Sequence, residues 1–153
     1  MANTYHQIYL QTVFPVKYRH ARINKVWKDH LFSVVGNLIN ESNAKTIIVN
    51  GTEDHVHCFF GLKPVMPVAE LMKIVKAKSS KYVNDHNLTP RRFEWQEGYG
   101  VFSYSQREVD TIYHYIKNQE EHHKTKSFHE EYIETLIEFN IPFDSRYLLH
   151  SLI

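Results

Sequence analysis

The sequence predicts an α+β fold of the ferredoxin-like (RRM-like) kind, an antiparallel sheet in the order βαββαβ with additional C-terminal helices. Three observations carry this expectation. Runs rich in β-branched and aromatic residues, at 5–14, 46–50 and 54–62, read as strands. Segments with apolar residues three and four apart, at 22–42 and about 67–85, read as helices set between those strands. An aromatic segment at 93–105, holding Gly98 and Gly100, reads as a loop leading into a fourth strand.

Each element has a local reason. Strand one ends at Pro15, which has no N–H for a sheet ladder. The first helix repeats Ile23, Val26, Trp27, Leu31, Val34, Val35, Leu38 and Ile39 on one face. Asn50-Gly51 supplies turn chemistry after strand two. Pro67 suits a first helical turn, and Val68, Leu71, Met72, Val75 and Tyr82 point inward from the helix behind it. Helix three is expected over about 106–123 and helix four over about 127–139, with Pro142 opening an extended tail at 143–149. The helices of the βαββαβ unit are expected on one face of the sheet, with helices three and four as additions. A single domain is expected over 1–153, with its core at about 5–105, the third helix at 106–123 and a C-terminal helix and tail at 127–153.

With 153 residues, 42% hydrophobic content and five glycines, the chain can bury a real core and is not of disordered composition. No apolar run approaches the ~18–20 residues of a membrane span, and Met1-Ala2-Asn3-Thr4 lacks the regions of a signal peptide. The lone Cys58 excludes an internal disulfide framework. A cytoplasmic location is the expectation. Net charge is +1, but residues 1–92 hold 13 basic and 6 acidic side chains, and residues 93–153 hold 5 and 11. The stretch 63–92 carries Lys63, Lys73, Lys76, Lys78, Lys81, Arg91 and Arg92 against Glu70 and Asp85. Such a stretch fits a phosphate-binding surface and equally a solvated helix face.

Strand three carries the first chemistry. If extended, it places His55, His57 and Phe59 on one side and Val56, Cys58 and Phe60 on the other. Imidazoles two apart lie about 6.5–7 Å apart along a strand, close enough to share a cation. Two half-buried histidines with no ligand would give the same string. On helix three, Val109, Ile112, Tyr113 and Ile116 form an apolar stripe, so Tyr113 is the core tyrosine. Glu108, Tyr115, Gln119 and His122 form a polar stripe beside it. Tyr115 is the tyrosine that the core does not need. Its bland reading is a partly exposed ring covering apolar surface.

Longer strings then become recognisable. They are Lys17-Tyr18-Arg19, Asp54-His55-Val56-His57, Lys76 through Ser79-Ser80, Trp95-Gln96-Glu97-Gly98-Tyr99-Gly100, Phe102-Ser103 and Tyr115-Ile116-Lys117-Asn118-Gln119. His122-His123, Phe128 with Glu131, Ile141-Pro142-Phe143-Asp144 and Tyr147-Leu148 complete the set. Together they closely resemble the single-tyrosine transposases of the HUH superfamily, the small enzymes of insertion sequences that move as single-stranded DNA. The resemblance covers about residues 5–149.

That resemblance implies cleavage and rejoining of single-stranded DNA at hairpin-marked element ends. Tyr115 would be the catalytic nucleophile, storing the broken linkage as a 5′-phosphotyrosine. His55, His57 and Gln119 would hold one divalent metal, Mg²⁺ or Mn²⁺, acting as a Lewis acid. A phenol's ordinary pKa of about 10 calls for a base near pH 7, and Glu108 and His122 on the same stripe are the candidates. The resemblance also implies DNA-binding by Lys17, Arg19, Lys73, Lys76, Lys78, Lys81, Arg91 and Arg92. Trp95 and Tyr99 are candidates to stack on bases or to pack. Partners would be single-stranded DNA with hairpin ends and a second copy of the chain. In such a homodimer residues 118–126 could hinge the tyrosine helix between subunits. Two alternatives share the fold: a host-adopted REP-associated tyrosine transposase, and a non-catalytic nucleic-acid-binding module.

Overall fold

The structure, a computed structural model, describes residues 3–17 and 21–148. Strands β1 (Tyr9–Pro15), β2 (Ala44–Gly51), β3 (His55–Leu62) and β4 (Gly100–Tyr104) form one antiparallel sheet in the order β2-β3-β1-β4. Helix α1 (Lys25–Asn40) connects β1 to β2, and α2 (Val68–Asp85) connects β3 to β4. This is the expected ferredoxin-like α+β arrangement. Its consequence for function is that β3, with both histidines of the paired string, is a central strand held on both sides.

Strand alternation divides the core. Phe14, Val56, Cys58, Phe60 and Leu62 pack with Leu31, Val35 and Ile39 of α1 and Leu71, Met72, Val75 and Val83 of α2. Val13 and Phe102 point the other way, against Phe128 and Leu136 of α5 (Phe128–Glu138). The molecule therefore has three layers, because α3 (Val109–Lys117), α4 (Gln119–His122) and α5 cover the second face. Expecting helices on only one face described just the βαββαβ unit.

Several expectations move. Strand β1 starts at Tyr9 rather than at residue 5, because its partner β3 ends at Leu62 and the chain then turns away, Lys63 N–H donating to Asn43 O. Val26 is 92% exposed, one residue inside the N-terminus of α1, so it leaves the expected apolar stripe. Asn50 and Gly51 remain on β2, and the turn falls at residues 52–54, where Thr52 Oγ1 donates to Asp54 Oδ1 at 2.9 Å. The tail is not extended throughout: Ser145–Tyr147 form a 3₁₀ turn capped by Asp144, and residue 149 lies outside the described residues. Tyr113 is half-buried and joins neither core cluster; Ile116 is the one fully buried residue of α3.

Gly51 sets the approach of β2 to the start of β3. A Cβ there would lie 2.1 Å from His55 O and 2.9 Å from Val56 Cα, both backbone atoms. Gly51→Ala therefore forces the turn open directly beneath the histidine pair. The expected cost is about 1–3 kcal/mol, read as a lowered denaturant midpoint. An unchanged midpoint would contradict this packing.

Candidate active site on the second face of the sheet

His55 and His57 lie on the same side of β3, with ring centroids 5.0 Å apart, and both are buried. Each ring is fixed from behind. Nδ1 of His55 donates to Asp54 Oδ1 at 2.7 Å, with Thr52 Oγ1 3.0 Å away. Nδ1 of His57 donates to Gln11 Oε1 at 2.6 Å, and the Gln11 amide donates in turn to the Tyr104 hydroxyl at 2.8 Å. Because a carboxylate and a carboxamide oxygen only accept, these bonds place the proton on Nδ1. The Nε2 atoms of both rings face the same space.

Three further side chains enter that space from the helical layer. Glu131, on α5, points Oε1 at His57 Nε2 (3.2 Å), His123 Nε2 (3.3 Å) and His55 Nε2 (3.7 Å). Its other oxygen, Oε2, accepts from the Tyr115 hydroxyl and from Gln119 Nε2 at 3.2 Å. Gln119 is fully buried, with Oε1 3.0 Å from His55 Nε2 and 3.1 Å from His123 Nε2. The expected convergence of two imidazoles, a phenol and a carboxamide is thus present within one chain. A cleft of about 500 Å³ lined by His57, Tyr115, Glu131, Tyr104, Arg107 and His122 opens onto it.

Helix three is not continuous. The helix stops at Lys117 and resumes at Gln119, with Asn118 at φ −96° and ψ 25°. The reason lies on the sheet: the Asn50 side-chain amide donates to Ile116 O at 3.0 Å and Lys117 O at 3.1 Å. Those carbonyls would otherwise continue the helical ladder. Asn50 thereby anchors the end of the Tyr115 helix to β2, while Lys28 of α1 pairs with Glu120 of α4. Tyr115 and Gln119 still meet, now across a bend.

The electrostatics follow from the crowding. Burial raises the Tyr115 phenol, and the adjacent Glu131 charge raises it further. Burial would also raise the Glu131 carboxyl, but the His123, His57 and His55 imidazoles outweigh it and hold that carboxyl well below the usual range. Burial pulls His57 down, a tendency that Glu131 opposes. His123 is lifted, its own burial being overcome by Glu131 and by the Lys126 carbonyl.

The donor set fits a hard or borderline divalent cation. Ligand-capable atoms of His55, His57 and Glu131 all lie within 4.8 Å of one another. Separations of 3.0 Å (His55 Nε2 to Gln119 Oε1) and 3.2 Å (His57 Nε2 to Glu131 Oε1) are close to the roughly 3 Å between neighbouring ligands of an octahedral ion with ~2.1 Å bonds.

Glu131 and His123 were missed as site residues. A signal existed: Glu131 occupies the same stripe of α5 as the buried Phe128 and Leu136, an acid at an apolar position. The two candidate bases do not contact the phenol oxygen. Glu108 Oε1 accepts from the Ser105 N–H and hydroxyl in a capping box, and the His122 ring lies against the Tyr115 ring, centroids 4.7 Å apart at 30°.

The basic candidates spread elsewhere. Helix α2 packs on the sheet face opposite the histidines. Lys73 and Lys78 are exposed along it, as is Arg91 beyond it. Lys81 pairs with Asp85, while Lys17 and Arg92 approach Glu94 at 4.0 and 3.7 Å. Lys76 donates to the carbonyls of Gln96 (2.6 Å) and Gly98 (2.7 Å), and burial draws its ammonium down to about 8, so it holds the 96–98 loop. Arg19 lies outside the described residues. Trp95 is buried, its indole N–H on Ser79 Oγ at 2.9 Å, so it packs the core rather than offering a stacking platform.

Residues 4–119 match the family model described as "Transposase IS200 like". Among solved structures, a protein of Deinococcus radiodurans R1 provisionally classed as a transposase aligns with a TM-score of 0.61 at 20% identity. That alignment covers 78% of this chain and 95% of that one. A REP-associated tyrosine transposase bound to a REP hairpin aligns with a TM-score of 0.59 at 10% identity, over 80% of this chain and 73% of that one. At these identities the two structures speak for the fold. No curated protein matches the chain.

Proposed function

Because the chain belongs to the IS200-like transposase family, we propose that it cleaves single-stranded DNA at hairpin-marked ends and rejoins it through a 5′-phosphotyrosine on Tyr115. The observation that supports this most is the joint hold of Glu131 on the Tyr115 hydroxyl and on the paired imidazoles. It puts a phenol nucleophile beside a candidate cation site at the edge of a cleft.

In this reading the Tyr115 oxygen attacks phosphorus, the bond from phosphorus to the 3′ oxygen breaks, and a free 3′-hydroxyl departs. The phosphotyrosine diester keeps the energy of the broken linkage, so another 3′-hydroxyl can displace Tyr115 without ATP. His55, His57 and Glu131, with Gln119, would hold a divalent cation, Mg²⁺ or Mn²⁺, which supplies positive charge for the scissile phosphate. Two imidazoles suit Mn²⁺ better than Mg²⁺. Asp54, Thr52 and Gln11 orient those imidazoles, and the Asn50 bonds seat the nucleophile helix.

The DNA partner is a single strand with a hairpin, in line with the hairpin held by the similar REP-associated structure. Lys73, Lys78 and Arg91, across the sheet from the phenol, would grip the folded part of that strand and not the scissile phosphate. The protein acts as a homodimer. Residues 118–126 include the bend at Asn118, where the tyrosine helix could part from its own sheet to serve a partner's site. No helix among the described residues is long and apolar enough to cross a membrane.

The test uses the full chain with end-labelled single-stranded hairpin oligonucleotides drawn from the DNA flanking its gene, with Mn²⁺, Mg²⁺ or EDTA. A metal-dependent protein–DNA adduct stable in denaturing gels, together with a 3′-hydroxyl product, is expected. Cleavage without an adduct, or an adduct indifferent to EDTA, would overturn the reading.

A further inference from the structure

A third imidazole reaches the site from the link between α4 and α5. His123 lies four residues after Gln119, and its N–H donates to Gln119 O at 3.1 Å, so one helical turn carries both side chains to the same side. Its ring stands 4.5 Å from the His55 ring, and only 11% of the side chain is exposed. Nδ1 lies 2.8 Å from the Lys126 carbonyl, an oxygen that only accepts, so Nδ1 carries a proton and Nε2 turns inward. Asp54 and Gln11 hold His55 and His57 in the same way. Metal-bound histidines characteristically donate their outer N–H to such an acceptor, which fixes the tautomer and the direction of the ring.

On the inner side, His123 Nε2 stands 3.1 Å from Gln119 Oε1 and 3.3 Å from Glu131 Oε1. The Gln119 amide nitrogen is engaged by Glu131 Oε2, so its carbonyl is the end turned to the imidazoles. Both facing oxygens only accept, and positive charge has to lie between them and Nε2. A second proton or a metal ion can supply that charge, and a divalent ion displaces the proton when it binds. The two separations are close to the roughly 3 Å between neighbouring ligands of a six-coordinate ion. The adjacent His122 lies against the Tyr115 ring instead.

We propose that His123 is a further metal ligand, giving Nε2 to the same divalent ion as His55, His57, Glu131 and Gln119. This deepens the metal-centre reading above and rests on it. Three imidazoles favour an ion that accepts nitrogen readily, so the site prefers Mn²⁺ to Mg²⁺, which keeps an oxygen shell. His123 follows the bend at Asn118, and through it the ion ties the end of α4 to the histidines of the sheet.

The test uses the full chain without DNA. With ¹⁵N-labelled protein and ¹¹³Cd²⁺ as a diamagnetic divalent probe, nuclear magnetic resonance reads a cadmium–nitrogen coupling at each bound imidazole. Couplings at Nε2 of His55, His57 and His123 are expected. Couplings at His55 and His57 with none at His123 would overturn the proposal while leaving the cation site standing. Mn²⁺ affinity, followed through the electron paramagnetic resonance signal of the free ion, is expected to fall at least about tenfold in His123→Ala. Were His123 only a cationic partner of Glu131, its removal would free that carboxylate for the ion. A Mn²⁺ affinity that is unchanged or raised in His123→Ala would therefore also overturn the proposal. Should His123→Ala lose the circular dichroism signature of the original protein, the cadmium couplings of the unsubstituted chain decide alone. If the original protein binds neither ion, the metal centre itself fails and the proposal with it, a result distinct from binding without His123.

Discussion

Tyr115→Phe is expected to remove both strand cleavage and the covalent protein–DNA adduct while leaving the fold and hairpin binding in place. The substitution deletes one oxygen. Tyr115 is half-buried and its ring keeps its contacts with His57 and His122, centroids 6.1 and 4.7 Å away, so little packing is lost. What disappears is the only atom that this residue can offer to phosphorus. Glu131 also loses a donor on Oε2, but Gln119 Nε2 still satisfies that oxygen. A stability change of about 1 kcal/mol or less is therefore expected beside a loss of activity to background. Denaturing gels and a denaturant melt on the same preparation separate the two. An adduct that persists in Tyr115→Phe would remove this residue from its role.

His57→Ala is expected to do equal damage to activity by a different route, and to add a structural cost. His57 gives Nε2 to the candidate cation site and Nδ1 to Gln11, so its loss takes away one ligand and strands the Gln11 carboxamide oxygen in a buried position. It also removes one of the imidazoles that hold the Glu131 carboxylate in its charged form. An unpaired buried polar group costs about 1–3 kcal/mol. Mn²⁺ affinity is expected to fall roughly 100-fold or more, since loss of even an outer hydrogen-bond partner of a ligand costs 10- to 100-fold. Undiminished metal binding and adduct formation in His57→Ala would contradict the proposed ligand set.

The elements that were legible are those whose cause is local. Strand β3 could be placed, and its two faces told apart, because alternation along His55–Leu62 needs only the strand itself. The last helix, expected over about 127–139, runs from Phe128 to Glu138, with Ser127 as its N-cap. The break at Asn118 was not legible, because its cause is the Asn50 side chain on another element, 66 residues away from Ile116. Glu131 escaped for the same reason. The apolar stripe sets Glu131 apart from Glu130 and Glu134 as the inward acid, but only the fold brings α5 over the imidazoles. Lys76 shows the converse. A lysine in a basic stretch invites a phosphate, yet its ammonium is spent on the carbonyls of Gln96 and Gly98. Charge along a chain says how much is available and not what it faces.

The arrangement also has an internal logic. The sheet supplies the rigid half of the site, two imidazoles locked by Asp54, Thr52 and Gln11. The short helices supply the other half, a phenol and a carboxamide on either side of the bend at Asn118. Glu131 joins the halves by bonding to both.

The most direct measurement is mass spectrometry of the protease-digested adduct formed with a hairpin oligonucleotide and Mn²⁺. The expected result is a nucleotide phosphate carried on the peptide that contains Tyr115, and on that residue within it. A phosphate on Tyr113, on Tyr132 or on any other side chain would contradict Tyr115 as the nucleophile, whatever the cleavage activity.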